Sequence, residues 1–327
     1  MATQSDSAAS PRQAAIRLGI SACLLGQEVR FDGGHKKDAF LTGILGPHVA
    51  WVPVCPEVEV GMGTPRETLR LVRAGAGTRM VTTRGGVDWT DSMRTWAVRR
   101  VEALAREDLD GYVLKKDSPS CGMERVKVYG VDGPGVRDGR GVFADVLLAR
   151  LPLLPVEEEG RLSDARLREN FIERVFAYRR LKNLFGARWT TGDLVRFHTA
   201  HKMSLLAHST TQYQELGRLV ATASAIGRAE VRARYERLFM DTLTASATRR
   251  RHTNVLSHMA GHFKDKLDAA SRRELAASIE EYRIGLVPLV VPLTLIAHYV
   301  RVHAVEYLAG QVYLQPHPRE LMLRNHV

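Results

Sequence analysis

Three cysteines are the whole thiol complement of this 327-residue chain, and each follows an apolar run. Cys23 ends Gly19-Ile20-Ser21-Ala22-Cys23, Cys55 sits in Val52-Pro53-Val54-Cys55-Pro56-Glu57, and Cys121 comes seven residues after Leu114. Thiolates brought to one point suit a soft metal centre. Iron–sulfur clusters are held by Cys thiolates, usually four. With three, one iron of a 4Fe–4S cluster keeps an open position, able to act as a Lewis acid as a catalytic zinc does. Zinc is an alternative, although the tight Cys pairs of structural zinc sites are absent. Free thiols can also be small buried hydrophobes. Spacing alone leaves all three readings open.

Residues this far apart meet only if the fold carries them to one place. From Arg17 to Leu148 short apolar runs alternate with Gly-rich turns and a few helical stretches. Residues 18–22, 49–54 and 112–114 read as strands, and 80–83 and 142–148 are candidates for two more. Residues 92–109 read as a helix, capped by Asp91 or Ser92, with Trp96, Val98, Val101, Leu104 and Ala105 as its apolar stripe. Strands alternating with helices predict an α/β domain over residues 16–150, Rossmann-like with a mainly parallel sheet. The carboxyl ends of parallel strands share one edge, and ligands collect in the crevice outside it. Each cysteine lies beyond a strand end, so all three can converge.

Residues 151–162 contain Pro152, Pro155, three consecutive glutamates and Gly160, which predicts a linker. Beyond it strand signals nearly vanish. Ser163 is the expected cap of a helix through Phe171, Val175 and Tyr178. Further helical patterns cover 193–208, 213–226, 229–245, 253–267, 271–284 and 293–308, the last after a turn at Pro288 and Pro292. An all-α domain is expected over 163–327, and a flexible tail over 1–15.

Hydrophobic residues at 45% and charged residues at 25% exclude wholesale disorder. The net charge is +11, with 21 basic against 18 acidic residues up to residue 150 and 26 against 18 beyond it. Such an excess favours polyanions, and Arg232, Arg234, Arg237 and the run Arg249-Arg250-Arg251 could meet the phosphates of a tRNA. A solvated helix face is the plainer explanation. His198 with His201 and His258 with His262 can each share a helix face. No acidic residue intervenes in either pair, so packing histidines are the simpler expectation. An odd, small cysteine count is no disulfide framework and points to a reducing, cytoplasmic setting. The longest apolar stretch, 284–297, is broken by two prolines and is shorter than the ~20 residues of a membrane span. The first 15 residues lack the apolar core of a secretory signal.

Five motifs in order carry a resemblance. Ser21-Ala22-Cys23-Leu24-Leu25-Gly26, Arg30-Phe31-Asp32-Gly33-Gly34-His35, Val54-Cys55-Pro56-Glu57, Gly63-Thr64-Pro65-Arg66 and Ser118-Pro119-Ser120-Cys121-Gly122 resemble the thiouracil desulfidase family. Phe197-His198-Thr199-Ala200-His201-Lys202, Gly217-Arg218-Leu219-Val220 and the segment from Pro316 to Asn325 resemble the YbgA-type domain of unknown function, often fused to the first. The first resemblance implies a 4Fe–4S cluster on Cys23, Cys55 and Cys121, its fourth iron free for the sulfur of a thiolated nucleobase. The implied reaction hydrolyses 2-thiouracil to uracil and sulfide without electron transfer.

It also implies a catalytic Glu and Ser at Glu57 and at Ser118 or Ser120, Ser118 first. Glu57 is two residues past Cys55, close enough in a turn to face the same cavity and move protons. A helix cap and turn hydroxyls are the plainer roles for these residues. Arg30, Asp32 and Lys36, around a permissive Gly33-Gly34 pair, are candidate substrate contacts. Arg66, beside the Gly61–Gly63 turn, is another, suited to an anion. No nucleotide-binding fingerprint is present. The rival from another class is a nucleic-acid-binding or regulatory protein whose cluster senses redox state.

Overall fold

Ile16–Ser21 (β1) is buried on both faces, as a strand covered from either side must be. It begins the chain described by the computed structural model, which covers residues 16–75, 77–130 and 134–325; the tail expected over 1–15 lies outside them. The strands that follow are Val49–Val54 (β2), Leu69–Ala74 (β3), Gly77–Thr82 (β4), Gly111–Leu114 (β5), Val126–Tyr129 (β6), Val136–Gly139 (β7) and Val156–Glu158 (β8). One sheet, in the order β2-β1-β5-β8, is parallel throughout. The chain leaves β1 first to one side, for β2, and later to the other, for β5. That reversal creates the switch point at which α/β sheets bind ligands. A second, mixed sheet in the order β4-β3-β6-β7 lies beyond it. Of its strands only β4 was foreseen.

Pro56–Glu59 (α1) follows β2 directly, and Thr90–Arg106 (α2) packs beside Val142–Arg150 (α3). Ala97, Val101 and Leu104 of α2 meet Phe143 and Leu147 of α3 over Val52, Val54 and Tyr112 of the parallel sheet. Residues 142–148, expected as a strand, are therefore helical. A short, nearly continuous apolar run cannot separate the two by periodicity, and Ala144, Leu147, Leu148 and Ala149 favour helix. The α2 helix starts at Thr90, whose amide and hydroxyl both donate to Asp88 Oδ1, at 2.9 and 2.6 Å.

The expected linker is also corrected. Within 151–162, Leu154 and Val156 are core residues, and Val156–Glu158 forms the outer strand beside β5. Glu157 and Glu158 are only 5% and 6% exposed, which the acidic run did not suggest.

Beyond β8 the chain is helical, as expected: Ala165–Gly186 (α4), Thr191–His208 (α5), Thr210–Ala221 (α6), Arg228–Thr244 (α7), Arg249–Gly261 (α8), Ala269–Ile284 (α9) and Val290–Val302 (α10). Asp164, not Ser163, caps α4, accepting from the amides of Arg166 and Leu167. Thr190 and Asp193 form a capping box on α5. The α10 helix ends at Val302, short of residue 308, and breaks there into turns. Phe171, Ile172 and Val175 of α4 share one core with Leu18 and Ile20 of β1, together with Leu321 and Leu323 near the carboxyl end. No described helix is long and apolar enough to cross a membrane.

Candidate active site

Cys23 lies in a tight turn, Ala22–Leu25, straight after β1. Gly26 closes that turn at φ +94°, a conformation L side chains disfavour. The amides of Lys36 and Asp38 then bond the carbonyls of Cys23 and Leu24, laying a loop across the turn. Cys55 stands between β2 and α1. Cys121 ends a loop that leaves β5 at Lys115. That loop is received by the start of α3, whose first amides have no partner within the helix. Val142 N donates to Pro119 O at 3.0 Å, and the amides of Phe143 and Ala144 donate to Ser120 O. A Cβ at Gly141 would fall 2.5 Å from Ser120 backbone atoms, so only glycine permits this approach.

All three thiols are unpaired and line one cavity of about 350 Å³, with Glu57, Ser118, Ser120, Arg30, Lys36 and Arg66. Burial, then the neighbouring Cys55, pushes the Cys23 thiol up to about 11. Burial also raises Cys55 and Cys121, and Cys121 senses Glu57 and both other cysteines. Thiolates are therefore costly here unless a cation accompanies them.

A chain of polar contacts runs beside the thiols. Ser120 Oγ donates to Glu57 Oε1 at 2.6 Å and lies 2.9 Å from Ser118 Oγ. Each hydroxyl has one proton to give. With that of Ser120 on Glu57, Ser118 donates to Ser120, and the order is Ser118, Ser120, Glu57. Ser118 Oγ also accepts the amides of Ser120 and Cys121, shaping the loop as well. Its own separation from Glu57 is 3.5 Å, so Ser120 is the carboxylate's direct partner, not Ser118, the first choice from sequence.

Arg66 is fully engaged. Its Nε and Nη2 hold Glu57 Oε2, and its remaining donors go to Val29 O, Gly63 O and Thr64 Oγ1. Five N–H donors make five bonds. Arg66 thus orients Glu57 and has no donor left for an anionic ligand, contrary to the expectation. Asp32 is exposed and does not line the cavity; its carboxylate accepts from Gly34 N and Arg30 Nε, organising the turn. Sequence reasoning missed Lys115 and Lys116, which also line the cavity. Their position just past β5 satisfies the same strand-end rule that selected the cysteines.

The helical candidates behave differently. His198 Nδ1 pairs with Tyr235 OH at 3.2 Å and His201 Nδ1 with Phe197 O at 2.8 Å. Burial lowers His198 to about 4 and His201 to about 3. His258 and His262 stack edge to face, and His262 lies on Tyr307. Among the described residues, no three His, Cys, Asp or Glu side chains are gathered tightly enough for a single metal ion. Arg232, Arg234 and Arg237 each pair with an acid on their own helix, and Arg249 lies over Tyr282.

Known proteins show where such a chain belongs. The family model for 2-thiouracil desulfurase matches residues 18–159, and that for a protein of unknown function (DUF1722) matches 202–318. The chain belongs to the 2-thiouracil desulfurase family, with a DUF1722 region following. An uncharacterized protein YbgA of Escherichia coli K12 is 35% identical over 161 residues, covering 49% of this chain and 95% of the relative. An uncharacterized protein YbbK of Bacillus subtilis 168 is 30% identical over 133 residues, 39% of this chain and 87% of that one. A solved structure described as a 4Fe–4S-dependent thiouracil desulfidase, TudS, is 30% identical over 45% of this chain and 93% of its own, with a TM-score of 0.37. The 2-thiouracil desulfurase match ends at Glu159 and so includes β8 with its glutamates.

Proposed function

We propose that this chain is an iron–sulfur desulfidase that releases sulfide from a thiolated pyrimidine by hydrolysis. The observation that carries the reading is the convergence of every cysteine on one cavity beside the Ser118–Ser120–Glu57 chain. Family membership and the TudS relative support it. The donor set fits a cluster. Three free thiols line the one cavity, and their burial calls for a cationic partner that makes thiolates stable. Cys23, Cys55 and Cys121 would hold a 4Fe–4S cluster. When bound, that group supplies a Lewis-acidic iron with an open position, which polarises the carbon–sulfur bond.

The chain's own residues manage the proton. Glu57, held by Arg66, takes one proton from the attacking water while hydroxide adds to the thiocarbonyl carbon. The remaining hydroxyl proton moves to sulfur as the carbonyl forms, and sulfur leaves as hydrosulfide. Ser120 and Ser118 pass the proton on Glu57 outward, restoring the carboxylate. Arg30, Lys36, Lys115 and Lys116 at the rim favour the anionic product.

A specific observation favours a substrate larger than a free base. The cavity adjoins a second of about 510 Å³ through Thr68, Leu69, Asp117 and Pro119, and this one adds Arg70, Lys127, Tyr129 and Arg137. Arg70 lies over the Tyr129 ring. Arg137 is held there by Asp117 at 2.6 Å, and a phosphorylated ribose would meet Arg70 and Lys127, which a bare pyrimidine does not reach, so a thiolated nucleotide is the sharper form of the proposal.

The test is anaerobic purification with iron and acid-labile sulfide analysis. Sulfide release from 2-thiouracil, thiouridine monophosphate and thiolated tRNA follows. About four irons per chain, the number in a 4Fe–4S cluster, with release from at least one substrate is expected. Zinc or no metal on the cysteines overturns the proposal. A cluster with no release from any of the three overturns it in favour of the redox sensor.

A further inference from the structure

The three glutamates of the former linker are not solvated. Parallel pairing sets Leu114 against Glu158, so Lys115 and Glu159 emerge side by side where β5 and β8 end. Glu159 Oε1 binds Lys115 Nζ at 2.5 Å and its Oε2 accepts Lys116 N at 2.7 Å. These bonds seize the loop at its first two residues. At the other end, Glu158 Oε1 accepts Met123 N at 2.8 Å, two residues past Cys121. Glu157 turns away to Arg161, whose other arm reaches Glu124. Side chains of Lys115 and Glu159 are 17% and 11% exposed, shielding their pair from solvent.

Between the two clamps lie Ser118, Ser120 and Cys121. Lys115 also donates its amide to Ser21 Oγ at 3.0 Å, which joins the clamp to the end of β1, two residues before Cys23. We propose that Glu158 and Glu159 are positioning residues of the desulfurating site: from the edge strand they hold both ends of the 115–123 loop and fix the Lys115 ammonium at the cavity rim. The proposal rests on the reaction argued above but concerns residues that touch neither thiol nor substrate. A loop held at both ends presents two hydroxyls and a thiol in one geometry, and a loop held at one end samples many; small displacements of reacting groups cost large factors in rate.

The test uses Glu159→Gln, Glu159→Asp and Glu158→Gln in the full chain. In cluster-free protein, alkylation of each cysteine by iodoacetamide is followed by peptide mass spectrometry. Glu159→Gln should speed modification of Cys121 about tenfold relative to Cys55, with the melting temperature within a few degrees of wild type. In anaerobically loaded protein it should lower kcat about tenfold with KM within twofold, and Glu159→Asp should recover most of both effects. Glu158→Gln should act on Cys121 in the same direction; should that variant fail to fold, the two Glu159 variants decide. Unchanged Cys121 reactivity in Glu159→Gln overturns the proposal, as does an equal acceleration at all three cysteines. A wild type that releases no sulfide overturns the desulfidase reading instead, and the alkylation ratio still decides whether the carboxylates hold the loop.

Discussion

The α/β region and the helical region each hold a polar network, and only the first opens onto a sizeable cavity. In the α/β region Glu57, Ser118, Ser120 and three thiols line a cavity of about 350 Å³. In the helical region Glu169, Glu173, His208, His252, Tyr313 and Arg324 close upon one another. Arg324 Nε holds Glu169 at 2.8 Å, His208 Nε2 holds Glu173 at 3.3 Å, and His252 Nδ1 meets Tyr313 OH at 2.7 Å. Burial pushes Glu169 up; burial also pushes Glu173 up, but the charge and hydrogen bond of His208 with the charges of Arg324 and His317 together hold its carboxyl far below its ordinary range. Residue types alone would rank the second network as the richer site, with two carboxylates and two imidazoles. Access reverses the ranking, because the space beside it is only about 30 Å³. Such a closed network specifies packing; an open one can meet a substrate.

The largest expected effect probes that contrast directly. Glu57→Gln should lower sulfide release at least ~100-fold, the scale of a lost general base, while iron content and melting temperature stay at wild-type values. Glu173→Gln should do the reverse, destabilising the chain while the folded fraction turns over normally. Steady-state rates normalised to iron measure the first, and urea titration the second. Full turnover in Glu57→Gln would make the open network as structural as the closed one.

Next in size is the closed network itself. Arg324 is buried and ties Glu169 on α4 to the carboxyl-terminal segment through Tyr313 O at 2.5 Å. Arg324→Met should cost about 3–5 kcal/mol, because the carboxylate left behind is buried and unpaired. Denaturant unfolding checks it. Adding Glu169→Leu should return much of that loss, since an apolar pair leaves no charge uncompensated. No recovery in the double variant would show that Arg324 acts through other contacts.

The same contrast explains what the sequence disclosed. The parallel strands, the cysteines at their ends and the helical second region were legible, because strand and helix periods and the switch-point rule depend on local pattern and topology alone. The second sheet was not: β6 and β7 are four residues each, with β7 reading Val-Arg-Asp-Gly and exposed along most of its length. Nor was β8, whose glutamates are buried because each finds a donor on a different segment, a fact of tertiary structure. Arg66 shows the same limit. Its type and its Gly-rich neighbourhood suggested an anion, and only three-dimensional placement reveals that Glu57 is the anion. Asp32 looked equally reactive in sequence, and it is a turn residue at the surface.

The smallest expected effect is a difference in pH response between the two regions. Burial holds His201 and His252 at about 3 and His198 and His317 at about 4, against about 6.5 in an unfolded chain. Between those limits the unfolded state binds protons that the folded state refuses, so stability is present above pH ~6.5 and drains away as pH falls toward 4. His208 runs the other way: burial lowers it, but the charge and hydrogen bond of Glu173, the bond to Ala245 O and the charge of Glu169 together raise it, and its contribution persists on the acid side. The two histidines of the α/β region, His35 and His48, are not buried. Limited proteolysis at pH 7.5 and pH 5, mapped by peptide, should therefore show new cuts in helices α5 and α8 before any in the parallel sheet. His201→Leu should flatten part of the response, because its Nε2 has no partner to lose and its removal takes away one refused proton. Simultaneous opening of both regions would mean that the core shared through α4 binds them into one cooperative unit, so that the closed network stabilises the open one and acid sensitivity in the helices is felt at the thiols.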